Sequence, residues 1–463
     1  MAAKRRRTSP RTAASDGAVL VARLREQGVT RAKIGGVDVD GVLRGKYVSL
    51  DKLESALAKG FGFCDVIFGW DVADMLYDNA RVTGWHTGYP DAHAVLDPTT
   101  LRPIPWEPGV IAMLCEFRAA DGEPHPACPR SLLRRIVERA RTLGYEARFG
   151  TEFEFYFFRE TRQTLHQKGF RALEALDPGM FGYSWVRAGQ DSELMRDLME
   201  GLADFRIPVE GLHTETGPGV YEAALHHDDP LAAADKAALF KVAIKQIAHR
   251  HGLAVTFMAK WNENLPGASG HLHQSLWRGG KNVFFDPRGA RGMSKTLRQY
   301  IAGQMALMRE LTAIYSPTIN SYKRYVPGVW APLVASWGVD NRTCAIRVID
   351  PGSPTGLRIE YRQTAADINP YLAIAACLAS GLYGIEKGLT APPETQGDAG
   401  ADGPLRLPRT LAEANELLSR SKAARALFGA AFVDHYTRTR DWEVRAFDRA
   451  VTHWELERYF EVV

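Results

Sequence analysis

Apolar and polar positions alternate in several short stretches of this 463-residue chain, with the polar groups two residues apart. Glu152 and Glu154 lie in Gly150-Thr-Glu-Phe-Glu-Phe-Tyr-Phe-Phe158. His271, His273 and Ser275 lie in Ser269-Gly-His-Leu-His-Gln-Ser-Leu276, and Glu360 and Arg362 in Arg358-Ile-Glu-Tyr-Arg362. Residues two apart on a β-strand project to one face. Each stretch therefore predicts a strand that turns its polar groups to one surface and packs its apolar neighbours the other way. Residues 33–48 alternate likewise around Asp40-Gly41, a hairpin signal. Residues 110–117 read as a further strand.

Apolar residues recur at helical spacing over 231–251 and 295–313. Pro129 heads a helix predicted for 130–143, a position that favours proline. Residues 371–385 are the most apolar stretch. They fall short of the roughly 20 residues a membrane span needs, so they read as a buried helix. The sequence divides into a basic tail expected to be disordered (1–16), a small β-rich domain (17–120) and a large domain (125–463). Residues 391–404 are rich in Pro, Gly and Asp and read as a flexible interruption. The predicted class is α+β.

Composition narrows the function. Apolar residues make up 45% and charged residues 24%, the balance of a soluble globular protein. The net charge of +4 is concentrated in the first dozen residues, so the body lacks the basic face of a nucleic-acid binder. Five scattered cysteines with no zinc-finger spacing, and no apolar run after the basic N-terminus, fit a reduced, cytoplasmic setting without membrane or nucleic-acid partners.

The candidate chemistry lies in the paired polar groups. Glu152 and Glu154 on one face repel unless a cation lies between them or one takes a proton. The bland reading, a solvated strand face, fits poorly with Phe153, Phe155, Tyr156, Phe157 and Phe158 alongside. Glu210, Glu215 and Glu222 flank a Gly/Pro turn that could return Glu215 and Glu222 to one site. Without the other segments they would read as exposed loop glutamates. His271 and His273 with Ser275 suit a metal or a phosphate, though lone strand histidines are more often satisfied core groups. Arg324, Arg342, Arg347, Arg358 and Arg362 supply forks for carboxylate or phosphate. Carboxylates for metal with arginines for charge point to phosphoryl transfer, and no P-loop is present.

Together these segments resemble the glutamine synthetase family. The ordered matches run through Gly-Thr-Glu-Phe-Glu-Phe, His-Thr-Glu-Thr-Gly-Pro-Gly-Val-Tyr-Glu, Ser-Gly-His-Leu-His-Gln-Ser-Leu, Asn-Ser-Tyr-Lys-Arg-Tyr-Val-Pro-Gly, Asn-Arg-Thr-Cys-Ala-Ile-Arg and Arg-Ile-Glu-Tyr-Arg. The resemblance implies an N-terminal β-grasp domain and a catalytic domain with a curved antiparallel sheet flanked by helices. It also implies a homo-oligomer, a dodecamer of two hexameric rings with sites shared between subunits. The implied cofactors are ATP and two or more Mg²⁺ or Mn²⁺ per site. By matching position, Glu154, Glu215 and Glu222 would hold one metal, and Glu152, His271 and Glu360 a second. Glu210, His273, Ser275, Arg347 and Arg358 would lie near ATP. Gly267, Arg324 and Arg362 would hold glutamate, and Arg342 would meet the transferred phosphate.

Departures from the family pattern bear on the acceptor. Ammonia-using members carry a glutamate before Ala-Pro in the loop after Val-Pro-Gly. Here Trp330 stands there, in Val326-Pro-Gly-Val-Trp-Ala-Pro332, and tryptophan cannot act as a base. Their second ammonium-holding carboxylate, in Phe-Asp-Gly-Ser-Ser, has only Asp65 as a loose counterpart. Pro266 replaces an asparagine and Thr355 a lysine. The expected function is a ligase that joins glutamate to a small organic monoamine. The alternatives are glutamine synthesis itself, or a non-catalytic relative, which would tend to lose the metal-type residues kept here.

Overall fold

A computed structural model describes residues 10–350, 352–400 and 405–463. Helix α1 (Pro10–Glu26) opens the described chain, so residues 10–16 are helical rather than disordered. Residues 1–9 of the expected tail, and 401–404 of the expected flexible segment, lie outside the described residues. The predicted hairpin forms as β1 (Arg31–Val37) and β2 (Leu43–Ser49), antiparallel from Arg31↔Ser49 to Val37↔Leu43. Asp38 Oδ1 organises its turn by accepting the amides of Asp40 and Val42 at 3.0 and 2.9 Å. Helix α2 (Leu50–Lys59) was not anticipated. Its buried face is only Leu50, Leu53 and Ala56, too short a run to stand out, and the Ser49 side chain caps it. Strands β3 (Phe61–Cys64), β4 (Asp91–Leu96), β5 (Arg102–Pro103) and β6 (Val110–Arg118) follow. They complete a sheet of order β2-β1-β6-β4-β3, with β5 against β6 and with β1 and β6 parallel.

Helix α3 (Pro129–Thr142) starts at the predicted proline. After it come β7 (Glu146–Phe158), α4 (Arg162–Gln167), α5 (Trp185–Gln190), α6 (Ser192–Asp204), β8 (Val209–Thr214), β9 (Val220–Asp228) and α7 (Pro230–Arg250). Strands β10 (Ala254–Thr256), β11 (Leu272–Arg278) and β12 (Lys281–Asn282) precede α8 (Lys295–Leu307) and α9 (Thr312–Tyr315). The helix expected over 295–313 is thus broken, with a turn between its two parts. Strands β13 (Trp337–Val339), β14 (Ile346–Ile349) and β15 (Arg358–Tyr361) lead to α10 (Pro370–Glu386). The chain finishes with α11 (Leu411–Arg420), α12 (Lys422–Phe428), α13 (Ala430–Asp448) and α14 (His453–Tyr459).

The second sheet has the order β13-β14-β15-β11-β7-β9-β8, with β10 on β7 and β12 on β11. It is antiparallel except that β13 and β14 run parallel, a departure from the all-antiparallel expectation. Each sheet has its own apolar core. Val21, Leu24, Leu53, Phe63, Phe68, Met113 and Phe117 centre the smaller one. The larger packs Phe149, Phe153, Phe155 and Phe157 of β7 against Ala237, Phe240 and Ile244 of α7, and α10 packs on α3, α7 and α8. Helix α10 is buried along nearly its whole length, as its composition requires, and no helix among the described residues is long and apolar enough to cross a membrane.

A network of paired polar groups ties the two cores together. Arg130 of α3, 3% exposed, donates from Nε and Nη2 to the two oxygens of Asp235 at 2.9 and 2.8 Å. It also reaches Glu116 at 2.7 Å and Asp97 at 2.9 Å on the smaller sheet. Tyr371 Oη adds a bond to Asp235 at 2.7 Å. Asn369, the N-cap of α10, donates to the carbonyls of Asp38 and Val39 at 3.0 and 3.2 Å.

Candidate active site

Strand register gathers the predicted residues. Phe153, Phe155 and Phe157 point into the core with no exposure, so Glu152 and Glu154 take the other face of β7. One row across the sheet pairs Arg347 of β14 with Glu360 of β15, Glu360 with His273 of β11, and His273 with Gly150 of β7. A second pairs Glu154 of β7 with Glu222 of β9 and Glu222 with His213 of β8. Gly150 contributes no side chain to the first row, which leaves a gap between His273 and His227. Glu215 returns beside Glu222 through Thr216-Gly-Pro-Gly219. Gly219 has φ of 65°, and a Cβ there would lie 2.5 Å from the Phe157 carbonyl, so the turn requires glycine.

The side chains form a continuous network. His271, just before β11 rather than within it, has Nδ1 3.3 Å from Glu360 and 3.5 Å from Glu152. Glu360 also receives Arg347 Nη1 at 3.2 Å and pairs closely with Arg362. Arg358 Nε donates to His273 Nδ1 at 3.2 Å, which places the ring proton on Nε2, 3.0 Å from Glu152. Glu154 Oε2 accepts the Ser269 amide at 2.6 Å. Arg324 is buried and held from below: it donates to the carbonyls of Gln363 and Arg362 and to Ser269 Oγ at 3.0–3.2 Å. Gly267 lies against it, and a Cβ at Gly267 would come within 2.8 Å of Arg324 Cγ.

Electrostatics separate the carboxylates. Burial would raise Glu360, but His271, Arg362 and His273 outweigh it and hold the carboxyl down to about 2. Glu152 is partly buried, yet His273 and His271 hold it below the usual carboxylate range. Glu154 is raised by burial, only partly offset by His271 and the Ser269 amide. Burial and then Glu154, Glu152 and Glu215 push Glu222 up to about 9. Four carboxylates crowd one another here without enough protein cations to balance them.

That donor set fits divalent metal. Ligand atoms of Glu152, Glu222 and His271 lie within 4.8 Å of one another, as do those of Glu152, His273 and Glu360, and of His213, Glu215 and Glu222. Carboxylate oxygen with imidazole nitrogen suits Mg²⁺ or Mn²⁺, the second better where imidazole enters. Glu154 is in none of these groups among the described residues, and the Ser269 amide engages one of its oxygens.

Beside the cluster is a cavity of about 330 Å³, lined by Glu152, Glu210, His273, Ser275, Thr355 and Arg358 among others. Sequence reasoning missed Arg148, Trp277 and His227, which also line it. Arg148 stacks 3.9 Å above the Trp277 ring, and Trp277 Nε1 donates to Ser275 at 2.8 Å. Tyr183, which stacks on His213 at 4.4 Å, was missed as well; the two-residue spacing of His213 and Glu215 was the available signal for His213. Trp330 is 68% exposed in the loop after Val326. Arg342 is exposed, and its carbonyl accepts Arg362 Nε at 3.1 Å. Asp65 is not part of the cluster within one chain. It is buried just after β3 of the smaller sheet, where its carboxylate accepts the Thr83 hydroxyl at 2.7 Å, and burial raises its carboxyl.

A sheet that brings carboxylates, imidazoles and arginines to one face beside a polar cavity defines a metal- and phosphate-handling enzyme. Residues 126–459 match the glutamine synthetase catalytic domain. The chain is 48% identical over 438 residues to type-1 glutamine synthetase 2 of Dictyostelium discoideum, covering 93% of this chain and 84% of that one. It is 39% identical over 446 residues to glutamate–isopropylamine ligase of a Pseudomonas species, covering 95% and 97%. A solved structure of GmaS without ligand superposes with a TM-score of 0.83 at 27% identity, covering 96% and 99%. The chain belongs to the glutamine synthetase family, whose members are ATP-dependent ligases acting on glutamate and ammonia or an amine.

Proposed function

We propose that this ligase joins the γ-carboxylate of glutamate to a small organic monoamine, with ammonia a poor acceptor. In the first step a γ-carboxylate oxygen of glutamate takes the γ-phosphoryl group of ATP, giving γ-glutamyl phosphate and ADP. In the second the amine nitrogen attacks the acyl carbon, the C–O bond breaks with its electron pair going to the departing phosphate, and the amine's proton passes to that phosphate or to water. Arg324 and Arg362 would hold the glutamate, with Gly267 leaving the backbone room to approach. Glu210, Ser275, Arg347 and Arg358 would face the nucleotide, and Arg342 the transferred phosphoryl group. His273, whose Nε2 lies 3.0 Å from Glu152, would face the nucleotide with them.

Glu152, Glu154, Glu215, Glu222, His271 and Glu360 would hold two or more divalent ions, Mg²⁺ or Mn²⁺, which supply charge neutralisation for phosphoryl transfer. The β-grasp description of the smaller domain and a dodecamer of two hexameric rings belong to the same reading. In such an assembly Asp65 would serve a neighbouring subunit's site.

The observation that carries the choice of acceptor is Trp330. It stands exposed where a general-base glutamate belongs in an ammonia user. An indole face covers an alkyl group or holds an alkylammonium by cation–π attraction of about 0.5–2 kcal/mol. One relative named above is a glutamine synthetase and another an isopropylamine ligase, so likeness by itself favours neither acceptor. The test is glutamate- and ATP-dependent phosphate release across ammonium, methylamine, isopropylamine, ethanolamine, anilines and putrescine. Turnover with a monoamine well above ammonium is expected. Ammonium as the best acceptor would overturn the assignment and make the chain a glutamine synthetase.

A further inference from the structure

Two irregularities face each other across the strands that flank the nucleotide cavity. On β9, three steps from Leu225 to Asp228 oppose two steps on β7 from Thr151 to Phe149, so His226 and His227 together face Gly150. On β8, two steps from Val209 to Gly211 oppose one step on β9, so Glu210 is the extra residue. Bulges of this kind turn side chains out of strict alternation. Neighbours that should point to opposite faces therefore point the same way: the His226 and His227 rings stack with centroids 4.9 Å apart and planes 14° from parallel. Glu210 Oε1 lies 3.9 Å from His226 Nε2 and 3.9 Å from His227 Nδ1.

Those distances are too long for hydrogen bonds. They are near the spacing of about 3.3 Å that two ligands keep around one tetrahedral ion at bonds of about 2.0 Å. His226 Nδ1 is 3.1 Å from the His227 carbonyl, and donating to it leaves the lone pair of Nε2 facing Glu210. Such an outer hydrogen bond is the arrangement that orients a metal-binding imidazole. The three residues are about half exposed, so an ion has access from solvent.

We propose that Glu210, His226 and His227 form a further divalent-metal site at the mouth of the nucleotide cavity, separate from the buried carboxylate cluster. Two imidazoles and one carboxylate favour a borderline transition ion such as Zn²⁺ or Co²⁺ over Mg²⁺, which prefers oxygen ligands and keeps its water. Glu210 and His227 also line the cavity, so an ion there draws both away from the nucleotide. This second consequence rests on the nucleotide reading given above; the binding does not.

The test titrates Zn²⁺ into the full-length protein in millimolar Mg²⁺, which covers the buried carboxylates, and compares the native chain with His226→Ala. His226→Gln, which keeps a polar side chain, and the thermal unfolding curve control for folding. The native chain should bind one more Zn²⁺ per chain than His226→Ala, or bind it at least tenfold more tightly. Equal stoichiometry and affinity in the two proteins would overturn the site. Micromolar Zn²⁺ should also raise the KM for ATP several-fold in the native chain and not in His226→Ala. Lost binding with no difference in KM would keep the site and overturn its competition with nucleotide.

Discussion

The junction between the two cores and the active site both bury charge, and they resolve it differently. At the junction the charges around Arg130 meet protein partners: Arg130 is ringed by Asp97, Glu116 and Asp235, and Tyr371 donates to Asp235 as well. At the site, Glu360 is likewise satisfied by Arg347 and Arg362, but burial, with Glu154, Glu152 and Glu215 pressing on it, drives Glu222 up to about 9. A charge network completed by the chain holds two cores in register. One left acidic is built to be completed from outside.

The comparison breaks most visibly at Arg130. Arg130→Ala leaves buried Asp235 without its cation, while Arg134 still reaches Asp97 and Glu116, a loss of about 3–5 kcal/mol in denaturant-monitored stability. Glu222→Gln should do the reverse, because its carboxyl is raised rather than held down by protein cations. Unfolding stability should stay near native, while steady-state phosphate release falls on the order of 10²–10³-fold, as when one transition-state charge stabiliser is removed. A stable Arg130→Ala protein or an active Glu222→Gln protein would erase the distinction.

Acid sharpens the contrast. His125, stacked on Phe68 at 4.5 Å, and His435 are both buried neutral, and burial lowers each to about 4. A depressed imidazole stabilises the fold fully above its unfolded value near 6.5, and the contribution is lost as pH falls through about 4. Stability should therefore decline between pH 6.5 and 4 by about 3 kcal/mol for each histidine. His125→Gln should flatten that decline in chemical denaturation measured at pH 7 and pH 5. The smallest effect is expected at the exposed rim. Trp330→Glu should move the ratio of kcat/KM for ammonium over monoamine by about tenfold toward ammonium, a change of about 1.4 kcal/mol. An unchanged ratio would remove Trp330 from the account of specificity.

Much of this was legible in the sequence because it depends on local periodicity. Alternation around Asp40-Gly41 marked the first hairpin, Pro129 marked the start of α3, and the Glu152/Glu154 spacing marked a strand with one polar face. What was not legible depends on register between strands. Nothing in the chain signals that Glu210 meets His226 and His227, because two bulges bring them together. Arg130 and Asp235 are 105 residues apart and each looks like an ordinary helix charge. Helix α2 was lost for a different reason: its apolar face is three residues long. Asp65 shows the limit of one chain, since its carboxylate is engaged by Thr83 in its own domain.

The central claim is that the crowded carboxylates await divalent cations. The most direct test is calorimetric titration of Mn²⁺ into the chelator-treated protein, native and Glu222→Gln. The account predicts two or more Mn²⁺ per native chain, and at least one fewer, or binding weakened tenfold or more, in Glu222→Gln. No Mn²⁺ bound by the native chain, or identical isotherms for both proteins, would contradict it.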